Sequence, residues 1–297
     1  MKNEKVSIII PVYNAFLFLN DTIKTIQDQT YDNWEAIFVN DCSKDDSVSI
    51  IKKAQKADKR IILLENKKNS GAAITRNNGI KYANGRYICF LDADDLWNKD
   101  KIERQVDFMK RKHCAFSYHS YAFANADGVP NGKNVIASET LSYKEALKNN
   151  IISTITVMFD MEKIDSKLIE MPDLKYVEDT ATWWKILRSG YTAYGISDLF
   201  SIYRRIPNSN SSNKFKTQKY LWNLYRKEEK LGIFSSIYYL LIKNINATRR
   251  RIRWKLMCYY QLWIGKALMI IYNFFKKWIL MAPQSQLINV QNSRKMS

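Results

Sequence analysis

The chain has 297 residues, 46% of them apolar, enough for one large domain or two small ones with a buried core. Its four cysteines, Cys42, Cys89, Cys114 and Cys258, form no CxxC pair, which excludes a disulfide or cysteine–zinc framework and fits a reducing cytosol. The net charge of +18 is uneven: residues 201–297 hold 19 Lys and Arg against 2 Asp and Glu, so the last third calls for an anionic surface, nucleic acid or membrane.

The N-terminal MKNEKVSIII has no apolar h-region with a small-residue cleavage site. No secretory signal is therefore expected, and the chain should stay on the cytoplasmic side. VSIII (6–10) predicts a strand that ends at Pro11. AFLFLNDTIKTIQ (15–27) has helical spacing at Phe16, Leu19, Ile23 and Ile26. EAIFVND (35–41) predicts the second strand, and Ser43 with Asp46 predicts a capping pair opening a helix toward Lys56. IILLEN (61–66), SGAAITRNNGIKYA (70–83) and RYICFLD (86–92) continue as strand, helix and strand. This alternation predicts an α/β fold with a central, mostly parallel sheet. In such sheets ligands bind at the carboxyl ends of strands. That rule collects Tyr13, Asp41, Asp92, Asp94 and Asp95 on one edge.

Farther along, a helix is expected around 99–112, then a β-rich stretch at 114–124, a short helix at 142–149 and a strand over STITVMF (153–159). EDTATWWKILRSG (178–190) predicts a helix that ends at Gly190, and AYGISDLFSIYR (193–204) a further strand.

The stretch ICFLDADDLW (88–97) drives an apolar run into three carboxylates. Carboxylates this close repel unless something positive sits between them, and a divalent cation such as Mg2+ or Mn2+ with a phosphate beyond it fits that need. The plainer alternative is an acidic cap on a helix N-terminus, which explains one Asp rather than three. Neither GxxxxGK[ST] nor GxGxxG occurs, which weighs against P-loop hydrolysis and dinucleotide redox chemistry. The two histidines, His113 and His119, leave little scope for a His-based triad or metal site and are expected to be structural.

In order and spacing, VSIIIPVYN (6–14), FVNDCSKDDS (38–47), NSGAAITRNNGI (69–80), ICFLDADDLW (88–97) and VEDTATWWKIL (177–187) resemble the motifs of family 2 glycosyltransferases. The resemblance covers about residues 5–210 and is nearest to enzymes of bacterial capsule or teichuronic-acid type. It implies a GT-A (Rossmann-like) catalytic domain. In it, residues 1–100 would hold the nucleotide-sugar and 101–215 the acceptor, followed by a helical tail, 216–297. Residue by residue, it implies that Pro11 and Tyr13 line the base and ribose pocket and that Asp41 bonds the base, usually uracil. Arg76 would hold the pocket near the base or diphosphate. Asp92 would face the ribose or a metal-bound water, Asp94 would bind Mn2+ or Mg2+, and Asp179 would be the catalytic base. One departure stands out: the family usually has two acids at the end of strand two, and the first here is Asn40. The implied reaction is inverting transfer of a sugar from a nucleotide-diphosphate sugar, with UDP expected, to a hydroxyl of a lipid-linked surface glycan.

Other readings stand beside these. Trp183 and Trp184 can stack on sugar or fill core. Tyr203-Arg204-Arg205 with SNSSNK (209–214) can close on a diphosphate or be a plain linker. A nucleotidyltransferase would also use carboxylate-bound metal, but PVYNAFLF lacks the Gly-rich basic loop it needs. Residues 216–281 interleave bulky apolar and basic residues. Between Lys255 and Trp278 a helical wheel sets Lys255, Lys266, Asn273 and Lys277 opposite an apolar face. An interfacial helix on an anionic membrane is expected there, with nucleic-acid binding the lesser alternative and a helix packed on the catalytic domain the plain one. The expected location is peripheral, on the inner face of the cell membrane.

Overall fold

The computed structural model describes residues 4–149, 151–206 and 214–252. The chain divides into two compact units, Met1–Ala247 and Thr248–Ser297. In the second unit the described residues, 248–252, are helical, and the wheel between Lys255 and Trp278 lies outside the described residues.

The first unit is built on one sheet. Strands β1 (Val6–Val12), β2 (Trp34–Asn40), β3 (Ile61–Glu65) and β4 (Tyr87–Phe90) alternate with helices α1 (Phe16–Gln27), α2 (Ser47–Ala57) and α3 (Ala72–Tyr82). The order is β3-β2-β1-β4, all parallel, with Ile8 opposite Ala36 on one side and Cys89 on the other. Every residue of β2 and β4 is buried, as expected of parallel strands with helices on both faces. Cys89 is among them, a core residue. Helix α1 turns Leu19, Ile23 and Ile26 inward at helical spacing. Helix α3 lies so close to the sheet that a Cβ on Gly79 would come within 2.5 Å of Ile9 Cγ2.

Beyond β4 the sheet is mixed. The elements are β5 (Leu96–Trp97), α4 (Lys101–Lys112), β6 (Phe116–Ala124), β7 (Pro130–Val135), β8 (Thr140–Leu141), α5 (Tyr143–Lys148), β9 (Met158–Asp160), α6 (Ser166–Ile169), α7 (Glu178–Arg188) and β10 (Ala193–Arg204). Strand β9 runs antiparallel to both β4 and β6, whereas β10 returns parallel to β6. The parallel pairing expected of the sheet is found in β3-β2-β1-β4 and again in the β6–β10 pair, and the other pairings are antiparallel. The β6–β7 hairpin adds an antiparallel strand, while the parallel β6–β10 pair is joined by a long connection that includes α5, α6 and α7.

Two local expectations change. The stretch 153–159 is a short 3-10 turn, Thr154–Thr156, before β9, because the Thr156 N–H and hydroxyl both turn back onto the Ser153 carbonyl. Ser43 and Asp46 do not cap α2; Asp46 makes no side-chain cap bond. The loop instead serves α1: Ser47 Oγ accepts the Ala15 N–H and Asp45 the Phe16 N–H. Helix α7 ends as expected, with Gly190 at φ +95° just beyond it.

Residues 214–247 belong to the first unit. Helix α8 (Lys214–Asn223) passes into a π-turn, Leu224–Glu228, and α9 spans 233–252. Tyr225 is fully buried, stacks on Trp184 at 5.0 Å and donates to the Leu147 carbonyl. Among the described residues no helix is long and apolar enough to cross a membrane.

Candidate active site

The carboxyl ends of β1 and β2 form one side of the site. Asn14 and Cys42 both sit at positive φ, +49° and +62°. A left-handed non-glycine residue costs about 1–3 kcal/mol and needs support from its surroundings. That support is reciprocal for Asn14: its N–H donates to Ser43 Oγ, and its Oδ1 accepts the Lys44 N–H. Asn40, the departure from the two-acid pattern, is buried and accepts the Ser43 N–H on Oδ1. A carboxylate there could accept the same bond, so Asn40 keeps the turn without adding a charge. Pro11 lies opposite Val39, and past it Tyr13 stands 53% exposed.

Asp41 is 4% exposed, and both its oxygens are occupied. Oδ1 accepts from Asn66 Nδ2 and the Ser70 N–H, and Oδ2 from the Gly71 N–H at 2.9 Å. Its carboxylate thus shapes the loop that opens α3, where Gly71 takes φ +82°.

The other side centres on Arg76. Its guanidinium donates at 2.7 Å to Asp92 and at 3.2 Å to Glu178, joining the loop after β4 to the first turn of α7. Burial alone would lower its proton affinity, but Asp92 and Glu178 outweigh that and hold it firmly charged. Glu178 is raised above its ordinary range by burial and by Asp179, with Arg76 opposing. Asp179 accepts from Thr154 Oγ1 at 3.1 Å. Arg76, Asp92, Glu178 and Asp179 therefore form one cluster; Asp41 belongs to a separate network.

Asp94 stands beside this cluster. Burial and the neighbouring Asp92 raise its carboxyl from 3.8 to about 6. Asp95 is buried and is likewise held well above the ordinary carboxylate range, by burial and by Asp94 and Asp92. Its role is structural: it accepts the Arg204 N–H at 2.7 Å, and its carbonyl accepts from Thr22. Arg204 is the buried last residue of β10, where the strand predicted over 193–204 ends, and not part of a loop that closes on a diphosphate. It donates to the Asp94 carbonyl and to Asp21, and so clamps the acidic turn from behind. Arg205 lies over the Phe123 ring, and residues 207–213 lie outside the described residues. No sequence signal pointed to the clamping role of Arg204, because the partners are remote in the chain.

The remaining candidates are core. Trp183 and Trp184 are both 2% exposed, so neither is free to stack on a sugar. His119 is fully buried, and burial and Lys101 hold it well below its usual range, hence neutral. His113 ends α4 in the left-handed region.

Among the described residues no three Asp, Glu, His or Cys side chains form a closed metal cage. The donor set fits an open site instead. A hard divalent cation can take one or two carboxylates and complete its shell with phosphate oxygens and water. Asp94, short of counter-charge, is the carboxylate left for that purpose, with Asp92 next to it.

Removing the Arg76 guanidinium strands Asp92 and Glu178, each less than about a third exposed. Arg76→Ala is expected to lower stability by ~3–5 kcal/mol. Arg76→Lys should recover part of this, since a single ammonium cannot span both acids as the planar fork does. Thermal melts of the three proteins check the order.

A parallel α/β sheet with an acidic turn at the end of its fourth strand and a carboxylate pair at a facing helix start places a polar ligand site at the carboxyl ends of the strands, as in α/β enzymes. The sequence pattern of glycosyl transferase family 2 matches residues 7–164, and the chain belongs to that family. It is 42% identical over 247 residues to TuaG of Bacillus subtilis, a glycosyltransferase assigned by name to teichuronic acid biosynthesis, covering 83% of this chain and 97% of the relative. It is 36% identical over 247 residues to WfgD of Escherichia coli, a UDP-Glc:alpha-D-GlcNAc-diphosphoundecaprenol beta-1,3-glucosyltransferase, covering 81% and 92%. Among solved structures, S. aureus TarS in complex with UDP-GlcNAc shares the fold at TM-score 0.61 and 19% identity, over 80% of this chain and 70% of that one. The mannosyltransferase PcManGT from Pyrobaculum calidifontis, in complex with GDP-Man and Mn2+, does so at TM-score 0.62 and 19% identity, over 99% and 88%.

Proposed function

We propose that this glycosyltransferase moves a sugar from a UDP-sugar to a hydroxyl of a lipid-linked surface glycan, with inversion. The observation that carries the reading is the cluster in which Arg76 ties Asp92 to Glu178, with Asp94 on one side of it and Asp179 on the other. The exposed Tyr13 ring stacks on the base, Pro11 walls the pocket, and Asp41 shapes the 66–71 loop and offers the base Oδ2, which holds only the Gly71 N–H. Asp94, with Asp92, would hold Mn2+ or Mg2+, which when bound would supply positive charge to the diphosphate and make it a better leaving group. Asp179 takes the acceptor hydroxyl proton as the oxygen bonds to the anomeric carbon. The bond from that carbon to the diphosphate breaks, and the nucleoside diphosphate leaves with its electron pair. One displacement inverts the centre and needs no covalent intermediate. Support for UDP and a lipid-diphosphate acceptor comes from what WfgD is named for. The basic segment 216–281 suits a peripheral position on the inner face of the membrane, where such an acceptor resides.

Calorimetry with UDP, with and without Mn2+, tests the donor side. Metal-dependent UDP binding is expected. Binding of GDP or TDP alone would keep the enzyme class and change the base, and no nucleotide binding would sink the reading. Pyrophosphate release in place of nucleoside diphosphate would point to a nucleotidyltransferase. A gel shift with no vesicle binding would turn the basic segment toward nucleic acid.

A further inference from the structure

We infer that α9 docks the catalytic unit on an anionic lipid surface through an apolar stripe formed by Phe234, Ile237, Tyr238, Leu241 and Ile245. All five are between 43% and 86% exposed. At 3.6 residues per turn they share an arc of about 100°, the width of a helix face that normally meets a core. The opposite face is already occupied. Ser236 is buried, Tyr239 stacks on Tyr225 at 6.1 Å, Lys243 lies over the Trp184 ring, and Asn246 donates to the Lys148 carbonyl. Helix α9 is therefore fixed to the unit along one side and presents a bare apolar side.

Three occupants could cover that side: a lipid surface, a second copy of the chain, or its own residues 253–297. Charge selects among them. From Leu231 to Ser297 the sequence has no Asp or Glu, and residues 253–297 carry seven Lys and Arg. Covering the stripe with the chain's own segment would add its seven cations beside Arg249, Arg250 and Arg251 and bring no acid with them, and α9 of another copy would bring no acid either. An anionic lipid surface supplies the missing counter-charge, and each basic residue near it adds on the order of 1 kcal/mol of attraction. Large apolar and aromatic side chains beside basic ones are the composition of helices that lie in the interface.

The inner contacts give the docking a catalytic consequence. Trp184, which underlies α9, is on α7 only five residues beyond Asp179, about 8 Å along the axis. Docking through α9 thus sets α7, and the base at its start, at a fixed and short distance from the lipid. A hydroxyl on a sugar close to its lipid diphosphate fits such a site; the far end of a long polymer does not. This deepens the reading of a lipid-linked acceptor, and its test requires no sugar transfer.

The full-length protein is floated with phosphatidylcholine vesicles with and without phosphatidylglycerol, beside the variant Leu241→Ser with Ile245→Ser. The wild type should float with the anionic vesicles, and the variant about tenfold less, at an unchanged melting temperature. Equal flotation of the two proteins overturns the proposal, as does a wild type that does not float. Flotation retained with a lower melting temperature would show that the stripe is covered by the chain itself. Flotation retained with a dimer turned monomer would assign it to a second copy. If the wild type floats but transfers no sugar, the reaction assigned above is wrong and the docking stands.

Discussion

Replacing Asp179 by Asn is expected to lower kcat by about 10²–10⁴-fold while leaving nucleotide affinity unchanged. The substitution keeps the shape; with the amide oxygen on the Thr180 N–H, the amide nitrogen faces Thr154 Oγ1, whose hydroxyl can accept instead of donate, and the group that accepts a proton is gone. Glu178 is the natural rival, being adjacent and raised by burial. Its carboxylate, however, is held by Arg76 in the same fork that grips Asp92. Glu178→Gln should therefore act mainly through stability and donor placement, with a smaller loss of kcat. Single-turnover kinetics on both variants separates the roles. An Asp179→Asn enzyme with wild-type kcat, or a Glu178→Gln enzyme with the greater loss, would move the base to Glu178.

The elements around this site were legible in the sequence where side-chain periodicity and buried face coincide. Helices α1 and α7 and strand β10 begin and end within about two residues of their sequence signals, because periodic apolar residues have one face to bury. The acidic residues could be assigned to one sheet edge because parallel strands end on the same side. What escaped detection depends on long-range partners. The direction of β9 is set by the strands it joins, and nothing in Met158–Asp160 encodes it. The TIT turn reads as strand because β-branched residues favour strands, yet the return bonds to Ser153 win. Arg204 and Arg205 look alike in sequence, but one is clamped under the acidic turn and the other lies over an aromatic ring. The three acids of DADD were equally ambiguous. Only the fold separates Asp92, paired with Arg76, from Asp95, bonded to the β10 backbone, and leaves Asp94 between them.

That separation gives Asp94 its own prediction, with opposite signs for activity and stability. Asp94→Asn should reduce transfer by at least about 10³-fold, since a lost metal ligand removes several kcal/mol of charge stabilisation. The same variant should melt no lower than the wild type in metal-free buffer. Asp94 is raised to about 6 by burial and by Asp92, so its charged form is disfavoured in the fold. A carboxyl raised in the folded state contributes stability that is present below its unfolded value near 4. That contribution disappears as pH rises through about 6, leaving a deficit of about 2–3 kcal/mol above it. The amide carries no such deficit. A helix cap would behave in the opposite way, losing stability on substitution. Metal binding follows the same titration, because the ion takes only the carboxylate. Mn2+ affinity of the wild type should fall about tenfold per pH unit below about pH 6 and be flat above it. Calorimetric titrations across that range, with thermal melts of Asp94→Asn beside them, read both halves. A variant that melts lower, or a Mn2+ affinity indifferent to pH between 4 and 7, would return Asp94 to a purely structural role.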